Sequence, residues 1–196
     1  MGRPKKKVEI IEKVAPHTIK KCELIEHYVD EWARKILGFN GMNGRDGSKG
    51  IIYIDCMSNS GLYYDSEDNL VDGTALRVAK RLNDILPKYP DKMGYVMFND
   101  ISQEKIDCLK REIDKLKLSN ITFRFNCGDG NEFIRELDIK ELQKKCGTLL
   151  LYDPYQATID WDAITPYLNI WGEVIINHMV SDTNRGASQA TREKAI

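Results

Sequence analysis

Several familiar signatures are missing from this 196-residue chain. Its five cysteines (Cys22, Cys56, Cys108, Cys127 and Cys146) are scattered, odd in number and form no C-x-x-C pair. That argues against a disulfide framework or a cysteine-held zinc and for a reduced, intracellular protein. The three histidines, His17, His27 and His178, show no metal-ligand spacing, so no metal is expected. No long apolar run is present, so neither a signal peptide nor a membrane span is expected, and the cytoplasm is the default location. Charge of one sign is lacking too. The formal net charge of -1 provides no bulk field for nucleic acid. The exception is "GRPKKK" at Gly2–Lys7, a basic arm of a kind that is more often a solvated terminus than a nucleic-acid contact.

What is present is an alternation of apolar runs and amphipathic stretches over one domain, residues 1–196, with a basic arm at 1–16 and a polar tail at 180–196 that is expected to be disordered or loosely helical. A helix is expected over His17–Leu37, with Cys22, Ile25, Val29, Trp32 and Ile36 on one stripe. Five glycines between Gly38 and Gly50 predict a mobile connection. Strands follow at about Gly50–Asp55, Gly94–Asp100, Asn120–Asn126, Thr148–Asp153 and Glu173–Met179. Helices are expected between them, at Thr74–Leu86, Ser102–Leu116, Asn131–Leu137, Lys140–Lys145 and Trp161–Leu168. Strands separated by helices predict an α/β, doubly wound, mostly parallel sheet with both faces covered.

Carboxylates mark the strand ends: Asp55, Asp100 and Asp153, with Asp129 between two glycines after the third strand. Aspartates there commonly cap helices or make Asx-turns. Four in register also form a rim where open α/β sheets bind ligands. No G-x-G-x-x-G follows the first strand and no Walker lysine is present, which disfavours dinucleotides, nucleoside triphosphates and a nicotinamide oxidoreductase. A cationic, phosphate-free nucleoside suits carboxylates better, and S-adenosylmethionine is such a ligand. On this reading Asp100 accepts from the ribose diol and Asp129 from the adenine amine. The small residues Ser58, Ser60 and Gly61 let the backbone approach the cofactor.

Four stretches carry a family likeness: "HTIKKCELIEHYVDEW", "YIDCMSNSGLYYD", "DGTALRVAKRL" and "LYDPYQATIDWDAI". Together they resemble the three-Cys-motif partner protein family, from His17 to about Met179. More distantly the chain is similar to the large-ribosomal-subunit RNA adenine-N6 methyltransferase. The resemblance implies a Rossmann-like, S-adenosylmethionine-dependent methyltransferase domain. By position it implies that Asp55 and Gly61 belong to the cofactor turn, with Tyr63 as its aromatic. It makes His17 and Lys21 the H-T-x-x-K helix, and Asp153, Pro154 and Tyr155 the D-P-F/Y motif. Ser58 and Asn59 stand where the family has Ala-Gly, and "DPYQ" lacks a second proline. Sheets of that class are longer than the five strands counted here, so the expectation is either that the last two are lacking or that the sequence is a piece of a longer protein.

The implied chemistry is methyl transfer to an amino group of a base in RNA or DNA. Asp153 and the Pro154 carbonyl would accept from the target amine, and Tyr155 would stack on the base. Lys21 would contact a phosphate or sit near the reacting centre, unless it is simply a solvated helix lysine. The cofactor-binding set is Asp55, Ser58, Asn59, Gly61, Asp100 and Asp129. The family name also implies a three-cysteine, radical-S-adenosylmethionine-like partner, for which the chain would be a catalytically inactive binding module. An uncovered edge strand would permit a homodimer.

Overall fold

The computed structural model describes residues 10–43, 45–118, 120–154, 159–169 and 171–177. Tyr155, the basic Gly2–Lys7 segment, the 180–196 tail and the far end of the expected fifth strand lie outside the described residues.

Five parallel strands form the central sheet: β1 (Gly50–Asp55), β2 (Met93–Asp100), β3 (Ile121–Cys127), β4 (Cys146–Tyr152) and β5 (Gly172–Ile176). Their order is β5-β4-β1-β2-β3. β1 and β4 are buried along their whole length, as their unbroken apolar runs require.

Alternation along the strands sends side chains to two cores. Ile51, Tyr53, Val96, Phe98, Leu149 and Leu151 pack under α1 (Pro16–Gly38), α2 (Thr74–Ile85) and α3 (Gln103–Ile113). Ile52, Ile54, Met97, Leu150 and Tyr152 pack on the other face, under α4 (Gly130–Glu136) and α6 (Trp161–Ile164), with a short α5 (Lys140–Gln143) between them in sequence. Each fully buried Leu or Ile contributes roughly 1.5–3 kcal/mol. Gly147 is flat where Ile36 of α1 presses on the sheet, since a Cβ there would lie 2.6 Å from Ile36 Cγ2.

The layering follows from handedness. Right-handed crossovers put the connections β1–β2 and β2–β3 on one face, and the return from β3 to β4 carries the later helices to the other. The strand order therefore reverses between β1 and β4, and at such a switch point a crevice lies beyond the carboxyl ends of the strands. The architecture is α/β with an all-parallel, helix-flanked sheet, compatible with a Rossmann-like fold.

One expectation about a connection needs correcting. The Gly38–Gly50 segment holds a two-residue antiparallel ladder, Gly41–Met42 with Arg45–Asp46. Lys92 Nζ pins it, donating to Phe39 O at 3.3 Å and Ser48 O at 2.5 Å. After β1, Leu62–Tyr64 pairs antiparallel with Leu70–Asp72 and parallel with Glu12–Lys13. Strands of two or three residues are too short to show a hydrophobic period, and a lysine anchor from a distant turn leaves no local trace.

Candidate functional site

The switch point holds two cavities. The first, about 310 Å³, opens beyond the ends of four strands: Cys56 after β1, Asp100 and Ile101 at the end of β2, Asp129 after β3, and Tyr152 and Pro154 at the end of β4. The second, about 250 Å³, is lined by Glu12, Lys21, Asn59, Tyr63, Asp153 and Asn177 among others. Met57 and Pro154 belong to both, so these two side chains form the partition.

Backbone hydrogen bonding explains the rim. Asp55 Oδ1 accepts from Met57 N–H at 3.1 Å, an Asx-turn that bends the chain off β1. Asp100 reaches across: Oδ2 accepts from Asn59 N–H at 3.0 Å and Oδ1 from Ser102 N–H at 2.9 Å. Asp129 Oδ1 caps α4 through the amides of Asn131 and Glu132. Each acid thus performs the local task that aspartates commonly do, and Asp100 and Asp129 also wall the first cavity.

Asn99 is a residue that motif reasoning missed. It is buried, and its Nδ2 donates to Cys56 O at 2.9 Å and Gly128 O at 3.0 Å, while its Oδ1 accepts from Asn126 at 2.7 Å. One amide therefore ties together the ends of β1, β2 and β3. An asparagine inside "FND" gives no sign of this, because its partners lie on other strands. Asn131 was missed as well; its Oδ1 accepts from the Tyr152 hydroxyl at 2.9 Å on the first cavity's wall.

Other expected site residues sit behind the lining. Asp55 is 1 % exposed and faces neither cavity. Burial, with repulsion from Asp153 and Asp100, pushes its carboxyl up to about 8, against the Met57 N–H bond and Lys21. Ser58 is buried, its amide bonded to Asn99 O and its Oγ without a partner among the described residues. Gly61 has φ +75°, and a Cβ on it would come within 2.5 Å of Leu109 Cδ1. Its missing side chain makes room for α3 rather than for a ligand. Asn59 adopts φ +57°, the left-handed conformation that asparagine tolerates best after glycine, and its Oδ1 accepts from Ser60 N–H. It lines the second cavity, not the first.

The D-P motif and the H-T-x-x-K helix do meet. Lys21 Nζ donates to Asp153 Oδ2 at 2.7 Å, bridging 132 positions of sequence. Asn177 Nδ2 donates to Asp153 Oδ1 at 2.6 Å. Lys21 is therefore not simply a solvated helix lysine. His17 lines neither cavity.

The chemistry of the first cavity is acidic and apolar. Two carboxylates face it, together with Met57, Ile101, Tyr152 and Pro154, and no lysine or arginine is among its described lining. Its volume lies within the range of small-molecule sites, roughly 300–1,000 Å³. The Cys56 thiol there is pushed well up by burial, so it is a packing group and not a nucleophile. Such a lining fits a cationic nucleoside carrying hydroxyl and amine donors, and disfavours a phosphate. No group of three or more His, Cys, Asp or Glu side chains among the described residues is arranged to hold a metal ion. No described helix is long and apolar enough to cross a membrane.

No family model matches the chain, and no curated protein matches it.

Proposed function

We propose that the chain is an S-adenosylmethionine-dependent methyltransferase of the Rossmann-like type, acting on an amino group of a nucleobase. The observation that carries this reading is the pair of adjoining cavities at the switch point, one acidic and without a lysine or arginine among its described lining, the other lined by Asp153, with Met57 and Pro154 common to both. The likeness to the three-Cys-motif partner family supports it.

Asp100 and Asp129 would bind the ribose hydroxyls and the adenine amine, and Ile101, Tyr152 and Met57 would wall the base and exclude water. When bound, the cofactor supplies an electrophilic methyl group on a sulfonium. Asp153 and the Pro154 carbonyl would accept hydrogen bonds from the acceptor amine and so aim its nitrogen lone pair. Lys21 and Asn177 hold the Asp153 carboxylate in one orientation for that task. Most of the rate gain asked of the protein is alignment and the exclusion of water.

Calorimetric titration with S-adenosylhomocysteine tests this directly. Saturable binding is expected, weakened at least about tenfold by Asp100→Asn, the loss of one charge-assisted contact. Absence of binding at millimolar ligand would refute the reading.

A second reading is favoured by one contact pattern. Both Asp153 oxygens are already engaged, by Lys21 and Asn177, so an acceptor amine must share them. That suits a methyltransferase-like module that binds a three-cysteine partner protein without catalysis. Under that reading Asp153→Ala leaves partner capture in a pull-down unchanged.

A further inference from the structure

The second cavity has a wall that lies outside every motif. Residues 12–14 run beside the turn that follows β1. Glu12 and Lys13 pair in parallel with Tyr63 and Tyr64, and Val14 N–H donates to Tyr64 O at 2.8 Å. Lys13 Nζ bridges to Asp68 at 2.7 Å. This strap brings Glu12 and Val14 into the cavity lining, beside Thr18 of α1.

Glu12 is held there by an unusual anchor. Lys105 Nζ donates to Glu12 Oε1 at 2.5 Å, and the lysine side chain is 6 % exposed against 40 % for the glutamate. Lys105 lies in the first turn of α3, where the helix dipole disfavours a cation. A buried cation at that end of a helix needs a carboxylate partner. Glu12 is thereby fixed on the cavity wall, its side-chain bond among the described residues being made at Oε1. The cavity's two carboxylates, Glu12 and Asp153, are each bonded to a lysine, Asp153 to Lys21 within the lining and Glu12 to Lys105 outside it, and Tyr63 and Pro154 line the same space.

Two carboxylates, each already bonded to a lysine, beside Tyr63 and Pro154 suit an uncharged planar ring that presents N–H groups to them. A carboxylate accepts and cannot donate, so it favours an exocyclic amine over a carbonyl at the same ring position. We propose that Glu12, pinned by Lys105, is a specificity residue of the acceptor cavity that selects amino-bearing heteroaromatic rings against their carbonyl counterparts. The assignment rests on the second cavity being the acceptor side of the proposed methyltransferase.

Matched nucleosides test it: adenosine against inosine, and cytidine against uridine, titrated into the full chain with and without S-adenosylhomocysteine. Wild type is expected to favour the amino member of each pair by about tenfold, the scale of one good hydrogen-bond pair. Glu12→Gln, which both donates and accepts, should shrink that ratio to below about threefold while leaving S-adenosylhomocysteine affinity within about twofold. Glu12→Lys should reverse the preference, a change of sign that partial unfolding cannot produce. An unchanged ratio in Glu12→Gln, or no saturable nucleoside binding by wild type, overturns the assignment. Nucleoside preference without any S-adenosylhomocysteine binding supports Glu12 as the selector and removes methyl transfer instead.

Discussion

Asp55 ends the central strand and is sealed beneath the site. Its carboxyl, near 3.8 ordinarily, is pushed up to about 8 by burial and by neighbouring Asp153 and Asp100. Between those values the folded chain holds a proton that the unfolded chain has lost. Stability attributable to Asp55 is therefore full below pH 4 and declines as pH rises towards 8. Asp55→Asn keeps an acceptor for Met57 N–H and removes the titration. Its melting temperature should match wild type near pH 4 and exceed it increasingly up to pH 8, by about 2–4 °C for each kcal/mol relieved. A gap that is flat across pH would contradict this origin. Asn99 operates at the same scale. Asn99→Ala strands the Cys56 and Gly128 carbonyls, each at a cost of roughly 1–3 kcal/mol if water cannot reach them. Denaturant melts should show that loss, and S-adenosylhomocysteine affinity should fall with it because the rim splays.

At the scale of elements, the turn after β1 is shaped by α3 as much as by any ligand. Gly61 accepts the Leu109 side chain in a conformation that a Cβ disfavours. Gly61→Ala should destabilise by about 1–3 kcal/mol through overpacking and left-handed strain. Urea titration reads that directly. Pairing it with Leu109→Ala should recover part of the loss, since the clash is with Leu109 Cδ1; full additivity would place the strain elsewhere. Ser102 shows the opposite case, where a local rule suffices: its Oγ accepts from Lys105 N–H and caps α3, as its place before the helix predicts.

At the scale of the molecule, the order β5-β4-β1-β2-β3 puts the reversal between β1 and β4 and opens the crevice there. A ligand that binds only the folded state stabilises it by mass action, about 2.7 kcal/mol at a hundredfold excess over Kd. S-adenosylhomocysteine at that ratio should therefore raise the melting temperature by about 5–10 °C. Adenosine triphosphate should not, because the first cavity's described lining has carboxylates and no cation to meet its phosphates.

The sequence by itself determined the elements and the alternation that makes the sheet parallel. Apolar runs such as "IIYI" and "LLLY" need burial on both faces, and helices long enough to show a 3.6-residue period declare themselves locally. It also placed the acids at the strand ends. Only the tertiary structure decided which of them face space: Asp100, Asp129 and Asp153 do, while Asp55 is sealed underneath. The same holds for Lys21 on Asp153, Lys105 on Glu12 and the Asn99 brace. Those contacts join residues from about 30 to more than 130 positions apart, and their partners are chosen by strand order and helix packing, which no local pattern encodes.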